Sequence, residues 1–214
     1  INYMKVVKFI AAGILAASLF GLQSCGKKAE EIADAAKNAS EAAPIETKEN
    51  QAVELLNNAE ELQKAEDALK NLPQFKGKEL RLFQNVNFYG GKLPRIELEV
   101  LNPDNLKDVD HYTYKNGSWS EPQPVQITGE GDMMANTTPL KDVKFTAVAT
   151  VFKNWTEKAK TIEGAGKEPL DFIYFNKQVY WNEQYWDAPT IEGTREAYNI
   201  TFNLDGSVRE FKKK

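Results

Sequence analysis

Three dipeptides that favour tight turns constrain the fold of this chain more than any other feature. Gly90-Gly91, Asn116-Gly117 and Asp205-Gly206 each separate two segments that are rich in β-branched and aromatic residues. Such pairs supply the positive φ angles that two-residue hairpin turns require. The sequence therefore predicts three β-hairpins and a largely antiparallel sheet.

The second strand of the first hairpin, over 93–101, alternates strictly. Ile96, Leu98 and Val100 are apolar, whereas Glu97 and Glu99 between them are charged. Successive side chains of a strand point to opposite faces of its sheet. One face of the sheet is therefore predicted to be buried and the other to meet solvent. Two further strands are predicted over 170–175 and 178–181.

One segment of the domain has a helical period instead. Its apolar residues recur at spacings of 4, 3, 4 and 3, which is one face of a helix. The helix is predicted over 145–163, with Gly164 and Gly166 closing it. Its apolar residues are Val148, Phe152, Trp155, Ala159 and Ile162. We therefore expect an α+β fold, in which one helix covers an antiparallel sheet of hairpins.

Aromatic residues are concentrated in residues 73–214. This part holds all four Trp, seven of the eight Tyr and nine of the eleven Phe. Aromatic side chains bury the largest areas and dominate core energetics. Residues 73–214 are therefore predicted to be an α+β globular domain that folds on its own.

The N-terminus has the pattern of an export signal. Lys5 and Lys8 precede an uncharged run of 14 residues, 9–22, and Ser24 lies directly before the single cysteine, Cys25. A basic start, an apolar stretch of about 7–15 residues and a small residue at the cut are typical of secretory signals. We expect residues 1–24 to be a signal peptide, with Met4 as the true start.

Leu22, Ser24 and Cys25 resemble the lipobox of bacterial lipoproteins, and Gln23 resembles the looser form of that box in Bacteroidota. The resemblance implies that Cys25 is the lipid attachment site and the first residue of the mature chain. Several acyl chains anchor a protein firmly to a membrane. Gly26 stands where an inner-membrane retention signal would have Asp. We therefore expect a lipid-anchored protein of the cell envelope, at the outer membrane.

Residues 25–72 are predicted to be a helical tether behind the lipidated cysteine. From residue 27 to 72 there are eleven acidic and six basic residues and no aromatic one. Apolar residues at heptad-like spacing predict two helices, which end at Pro44 and Pro73. Two interpretations stay open: a solvated tether whose second helix rests on its own domain, and a short self-associating stalk.

Charge and composition exclude several classes of function. The net charge of −4 lacks the basic character that nucleic acid binding requires. Zinc is improbable without a cluster of Cys and His. The single histidine, His111, is predicted on an exposed strand face with no nucleophile motif beside it. We therefore predict no catalytic residue, no metal site and no cofactor, and no nucleic acid as partner.

Two groups of oxygen-bearing side chains are candidate sites. Glu183 with Asp187 is a carboxylate pair of the kind that hydrolyses glycosides. Calcium prefers oxygen ligands, but a cluster of Asn and Asp after a strand is also typical of a turn. That cluster comprises Asn102, Asp104, Asn105, Asp108 and Asp110.

The most suggestive segment is the aromatic run from Tyr180 to Trp186. Tyr180, Trp181, Tyr185 and Trp186 flank amide and carboxylate groups, and a sugar ring binds to such an apolar platform with polar partners. The same aromatic residues are equally suited to a core. Both interpretations stay open.

The hairpin over 197–211 resembles the closing hairpin of PepSY-like envelope modules. The likeness covers about 15 residues and implies no specific function.

The sequence as a whole leads to three hypotheses of function. The first is a non-enzymatic envelope lipoprotein that binds a partner protein or ligand. The second is a glycan-binding module with an aromatic platform, and the third is a carboxylate-dependent hydrolase.

Overall fold

The computed structural model describes residues 54–129 and 131–214. These residues form one mainly antiparallel sheet with two α-helices, α1 (Ala59–Lys70) and α2 (Ala147–Ala159). The strands are β1 (Arg81–Tyr89), β2 (Arg95–Leu101), β3 (Val109–Lys115), β4 (Ser118–Trp119), β5 (Gln123–Pro124), β6 (Thr137–Pro139), β7 (Phe172–Gln178), β8 (Glu183–Asp187), β9 (Ile191–Glu192), β10 (Ala197–Phe202) and β11 (Val208–Lys213). Short 3-10 turns lie at Leu55–Asn57 and Leu140–Asp142.

The sheet follows the order β11-β10-β8-β7-β1-β2-β3-β4, with β5 beside β3, β6 beside β1 and β9 beside β10. Every strand pair within it is antiparallel. The three predicted hairpins are confirmed as β1–β2, β3–β4 and β10–β11. In the second, Asn116 and Gly117 have φ angles of 53° and 81°. Only this hairpin has the predicted two-residue turn, because five residues separate β1 from β2 and β10 from β11.

A fourth hairpin, β7–β8, replaces a predicted strand. The prediction of a strand over 178–181 is wrong, because β7 ends at Gln178 and the chain turns over 179–182 before β8. This turn lacks glycine. Asn182 takes its positive φ of 51°, which asparagine tolerates better than most other residues. A turn built on a single asparagine has a weak sequence signal.

Two helices cover the sheet, where the sequence predicted one. Helix α2 is the predicted helix, although it ends at Ala159, before the predicted end at residue 163. Helix α1 falls in the segment assigned to the tether. Its stripe of Leu62, Ala65 and Leu69 is buried in the same core as the sheet residues. The second helix of the predicted tether thus rests on the domain, as one of the two interpretations had it. The rest of the predicted tether, residues 25–53, lies outside the described residues.

The core lies between the helices and one face of the sheet. Phe88 of β1 is at its centre, with its ring 5.1 Å from that of Phe145 and 5.7 Å from that of Trp186. Trp186 also meets Phe175, at 5.6 Å. These pairs adopt the edge-to-face arrangement that aromatic quadrupoles favour. One aromatic cluster therefore joins β1, β7, β8 and the turn before α2.

Glu66 is a buried carboxylate inside this apolar layer, with 1% of its surface exposed. One of its oxygens accepts a hydrogen bond from the backbone N–H of Phe145, at 2.9 Å. The other pairs with Lys70, one turn along α1, at 2.5 Å. Because an unpaired buried charge is costly, these partners are what permit Glu66 to lie there. Glu66 thereby ties α1 to the turn that leads into α2.

The β3–β4 hairpin holds α1 from the other side. Trp119 donates its indole N–H to the carbonyl of Ala65, at 2.9 Å, and Tyr114 donates its hydroxyl to Glu61, at 2.8 Å. Burial, with Glu61 as a further cause, raises the pKa of Tyr114 to about 12. Tyr114 therefore remains a hydrogen-bond donor well into the alkaline range. These contacts fix α1 over the edge of the sheet.

Replacing Glu66 tests whether this buried carboxylate holds the two helices together. Glu66→Ala leaves the N–H of Phe145 without its acceptor, and we expect the free energy of unfolding to fall by about 2–3 kcal/mol. Glu66→Gln keeps an acceptor oxygen and should lose about half as much. Urea denaturation followed by circular dichroism measures both.

The matched control is Glu60→Ala, on the exposed side of the same helix. Glu60 pairs with Lys64 in solvent at 2.9 Å, and exposed pairs of this kind contribute little to stability. We expect no measurable change in the denaturation midpoint of this variant. Equal losses in Glu60→Ala and Glu66→Ala would contradict the role given to Glu66.

Candidate functional site

The β7–β8 hairpin ends in an exposed aromatic tip, which we define as residues 179–182. Tyr180 is 86% exposed and Trp181 is 69% exposed, and Val179 beside them is also exposed. The two rings meet edge to face, with centroids 4.7 Å apart and planes at 85°. Soluble proteins rarely expose contiguous apolar surface, and where they do it often marks an interaction site. The three consecutive exposed residues of the tip therefore make it a candidate binding surface.

Contacts from the hairpin itself hold the aromatic tip in shape. Lys177, which is almost fully buried, donates from its ammonium group to the side-chain oxygen of Asn182, at 2.9 Å. Beyond the turn, Arg209 of β11 pairs with Glu183, at 3.0 Å. The first contact joins the turn to β7, and the second joins the start of β8 to β11. The tip therefore presents its rings from a supported turn.

The four aromatic residues predicted as a ligand platform do not share one surface. Trp186 is 0% exposed, and its indole N–H donates to the carbonyl of Leu204, at 3.1 Å. Tyr185 points to the opposite face of β8, where the guanidinium of Arg209 lies 4.8 Å from its ring centre. Successive residues of a strand must diverge in this way. The prediction that Trp186 belongs to the platform is therefore wrong, and Tyr180 and Trp181 are the exposed residues of this aromatic run.

Hydrogen bonding separates Trp181 from the other three tryptophans. Trp119, Trp155 and Trp186 each donate their indole N–H to a backbone carbonyl of another segment, at 2.8–3.1 Å. Trp181 has no such partner among the described residues. A tryptophan whose N–H and ring both face solvent contributes little to folding and is free to bind a partner.

The two carboxylates of the hydrolase hypothesis lie far from each other. Glu183 and Asp187 are four residues apart on β8, which places them roughly 13 Å from each other along a strand. Glycosidase carboxylates are separated by about 5–9.5 Å. Glu183 is paired with Arg209, and Asp187 accepts a hydrogen bond from the hydroxyl of Tyr174, at 2.7 Å. The two carboxylates thus do not face each other across a cleft.

The Asn and Asp cluster after β2 forms a turn. The side-chain oxygen of Asn102 accepts from the backbone N–H groups of Asp104 and Asn105, at 2.9 and 3.3 Å. Asn105 donates to Asp108, at 2.8 Å, and Lys78 pairs with Asp104, at 2.6 Å. These are the local bonds that turn residues make. Within the two described ranges, no group of three His, Cys, Asp or Glu side chains is placed to hold a metal ion.

A second candidate site surrounds His111, on the sheet face away from the helices. It is directly opposite Glu99 in the β2–β3 ladder and half-buried. Beside this pair, residues 83–85 of β1 bulge out against the single residue Glu99 of β2. The bulge opens a cavity of about 180 Å³, which we call the bulge pocket. Its lining consists of the apolar residues Phe83 and Leu98 and of polar groups from Gln84, Asn85, Asn87, Glu97, Glu99 and His111.

The sequence did not reveal the bulge pocket. The alternation in β2 correctly placed Glu97 and Glu99 on the solvent side. However, Gln84 has a positive φ of 53°, and glutamine carries no signal for that conformation. Bulges are irregularities that tertiary contacts impose on a strand. Here the backbone N–H of Gln84 donates to the carbonyl of Asn136, at 2.8 Å, far away in sequence.

Cys25, the predicted lipid attachment site, lies outside the described residues, as does the predicted signal peptide. Neither helix in the part of the chain that the structure describes is long and apolar enough to cross a membrane. Comparison with known proteins finds no matching family model, no matching curated protein and no matching solved structure.

Replacing Trp181 and Trp186 separately tests the division of the aromatic cluster. Trp186→Ala removes a fully buried ring, and we expect it to lower the free energy of unfolding by about 3–5 kcal/mol. Trp181→Ala should stay within about 0.5 kcal/mol of the parent protein, as exposed substitutions usually do. Urea denaturation measures both. In the parent, acrylamide should quench a fluorescence component that Trp181→Phe removes. If the two alanine variants were equally destabilised, Trp181 would belong to the core.

Proposed function

We propose that this protein is a lipid-anchored, non-enzymatic protein of the cell envelope that binds a partner protein through its aromatic tip. The lipidated residue in this proposal is Cys25, behind a signal peptide over 1–24 and ahead of a helical tether. The domain that binds is the α+β unit described above. The exposed pair of Tyr180 and Trp181 is the observation that carries the proposal.

The choice of residue types supports a binding role. Tyrosine and tryptophan are enriched in the small set of side chains that dominate binding energies at protein interfaces. Their rings are rigid, so little conformational entropy is lost when they are covered. Because Lys177 and Asn182 already hold the turn, the cost of ordering it on binding is also reduced.

The aromatic tip and the first described residue lie at opposite ends of β7. Glu54, the first described residue, lies beside Gly90 and Leu170, just before the start of β7. The aromatic tip follows the opposite end of β7, and seven strand residues span roughly 23 Å. The described part of the chain thus begins at the end of the domain remote from the tip.

A glycan is the second candidate partner. It is favoured by the exposed faces of Tyr180 and Trp181, since a sugar ring packs its apolar side against such rings. A saturable quench of tryptophan fluorescence by one member of a glycan panel, lost in Trp181→Phe, would identify this partner class in place of a protein.

Replacing Cys25 tests the anchor. In a bacterial host that processes lipoproteins, we expect the parent chain to incorporate an alkyne-labelled fatty acid and to fractionate with membranes. Mass spectrometry should show a mature chain that begins at Cys25 and carries acyl groups. Cys25→Ala should lose the label and keep the signal peptide, because the acylated thiol is what directs cleavage in proteins with a lipobox. An unlabelled parent chain in the aqueous fraction would rule the anchor out.

Photo-crosslinking tests the aromatic tip. A photoreactive amino acid at position 181 should give a discrete protein adduct in intact cells, since the tip is expected to contact the partner directly. The control position is Leu93, which is 63% exposed in the loop at the other end of the domain. Tyr180→Ala in the same background should reduce the adduct at least about tenfold. Equal adducts from positions 93 and 181, or none at 181, would argue against the tip as the contact.

A further inference from the structure

The bulge pocket is built by a defect in a central strand of the sheet. Residues 83–85 of β1 oppose Glu99 alone, so β1 is lifted away from β2 at this point. The displaced backbone is held by the N–H of Gln84, which donates to Asn136. Bulges in strands often re-aim side chains towards a site. The result here is a cavity of about 180 Å³ on the sheet face opposite the helices.

The polar groups around this cavity are amides, an imidazole and carboxylates. Amides come from Gln84, Asn85 and Asn87, and an imidazole comes from His111. Carboxylates come from Glu97 and Glu99. Of the residues that the structure places in the lining, none is a lysine or an arginine. The pocket therefore disfavours anions.

The two carboxylates of the bulge pocket differ in their partners. Glu97 is paired with Arg95 at 2.6 Å. Glu99 is half-buried and forms no ion pair within the described residues. Burial raises the pKa of the Glu99 carboxyl, and the positive charge of a protonated His111 opposes this rise. A half-buried carboxylate that forms no ion pair with a lysine or an arginine is a group that a bound cation would stabilise.

From this geometry we propose that the bulge pocket binds a small organic cation, whose primary ammonium group pairs with Glu99 and is shared with the neighbouring amide oxygens. An ammonium group donates three hydrogen bonds, which suits a cavity lined by the carboxylate of Glu99 and the amide side chains of Gln84, Asn85 and Asn87. The site is separate from the aromatic tip and does not depend on the function proposed for it.

His111 provides the readout, because it is the single histidine of the chain and lines the bulge pocket. Its imidazole resonances can be followed by NMR in the purified full-length protein without further assignment. The probe is cadaverine hydrochloride, and 1,5-pentanediol is its uncharged match in length. Both titrations are run at pH 7.5 with ionic strength held constant.

We expect cadaverine to shift the His111 resonances saturably, whereas pentanediol leaves them in place. In Glu99→Gln, which keeps the shape of the side chain, the dissociation constant for cadaverine should rise at least about tenfold. Glu210→Gln, on the edge strand β11, is the control and should bind as the parent does. The proposal is overturned if the two probes act with the same midpoint, if cadaverine has no saturable effect, or if Glu99→Gln binds as tightly as the parent. The comparison of probes uses the parent protein, so it holds even if a variant fails to fold.

Discussion

The buried carboxylate of Glu66 is the interaction on which the arrangement of the helices depends. It lies within an apolar layer, where an ionised group is tolerated only if its oxygens are occupied. The backbone of Phe145 and the ammonium of Lys70 occupy them. Because Glu66 belongs to α1 and Phe145 precedes α2, the hydrogen bond between them ties the two helices together. Phe145, placed in this way, completes the aromatic cluster around Phe88.

The aromatic residues of this domain serve two different purposes. Most of them fill the core, and the buried tryptophans also use their indole N–H groups to join separate segments. Tyr180 and Trp181 instead stand on a turn in solvent, at no evident gain to folding. Natural sequences tend to be locally consistent with their fold, so such exceptions are expected at functional sites. This contrast between buried and exposed aromatic residues supports the binding role that we propose for the tip.

The two faces of the sheet also differ in the residues that they carry. The helix-covered face carries the main core, whereas the opposite face carries polar groups and the bulge pocket, and a second apolar cluster of Phe83, Leu101 and Val109 lies outside the main core. Glu99 and His111 meet there because β2 and β3 are paired in a register that sets them opposite each other. The aromatic tip and the bulge pocket are thus separate products of one antiparallel scaffold: the tip is a turn that extends from it, and the pocket is a defect within it.

The sequence by itself determined the local features: three hairpins through Asn-Gly, Asp-Gly and Gly-Gly pairs, the two-sided strand β2, and the helical period of α2. Such signals act between residues a few positions apart. Only the tertiary structure decided that Trp186 is buried while Trp181 is exposed, that α1 belongs to the core, and that β1 bulges at Gln84. These outcomes depend on which distant segments meet: Leu204 with Trp186, Phe145 with Glu66, and Asn136 with Gln84. Contacts between residues so far apart have no period or dipeptide that marks them in the sequence.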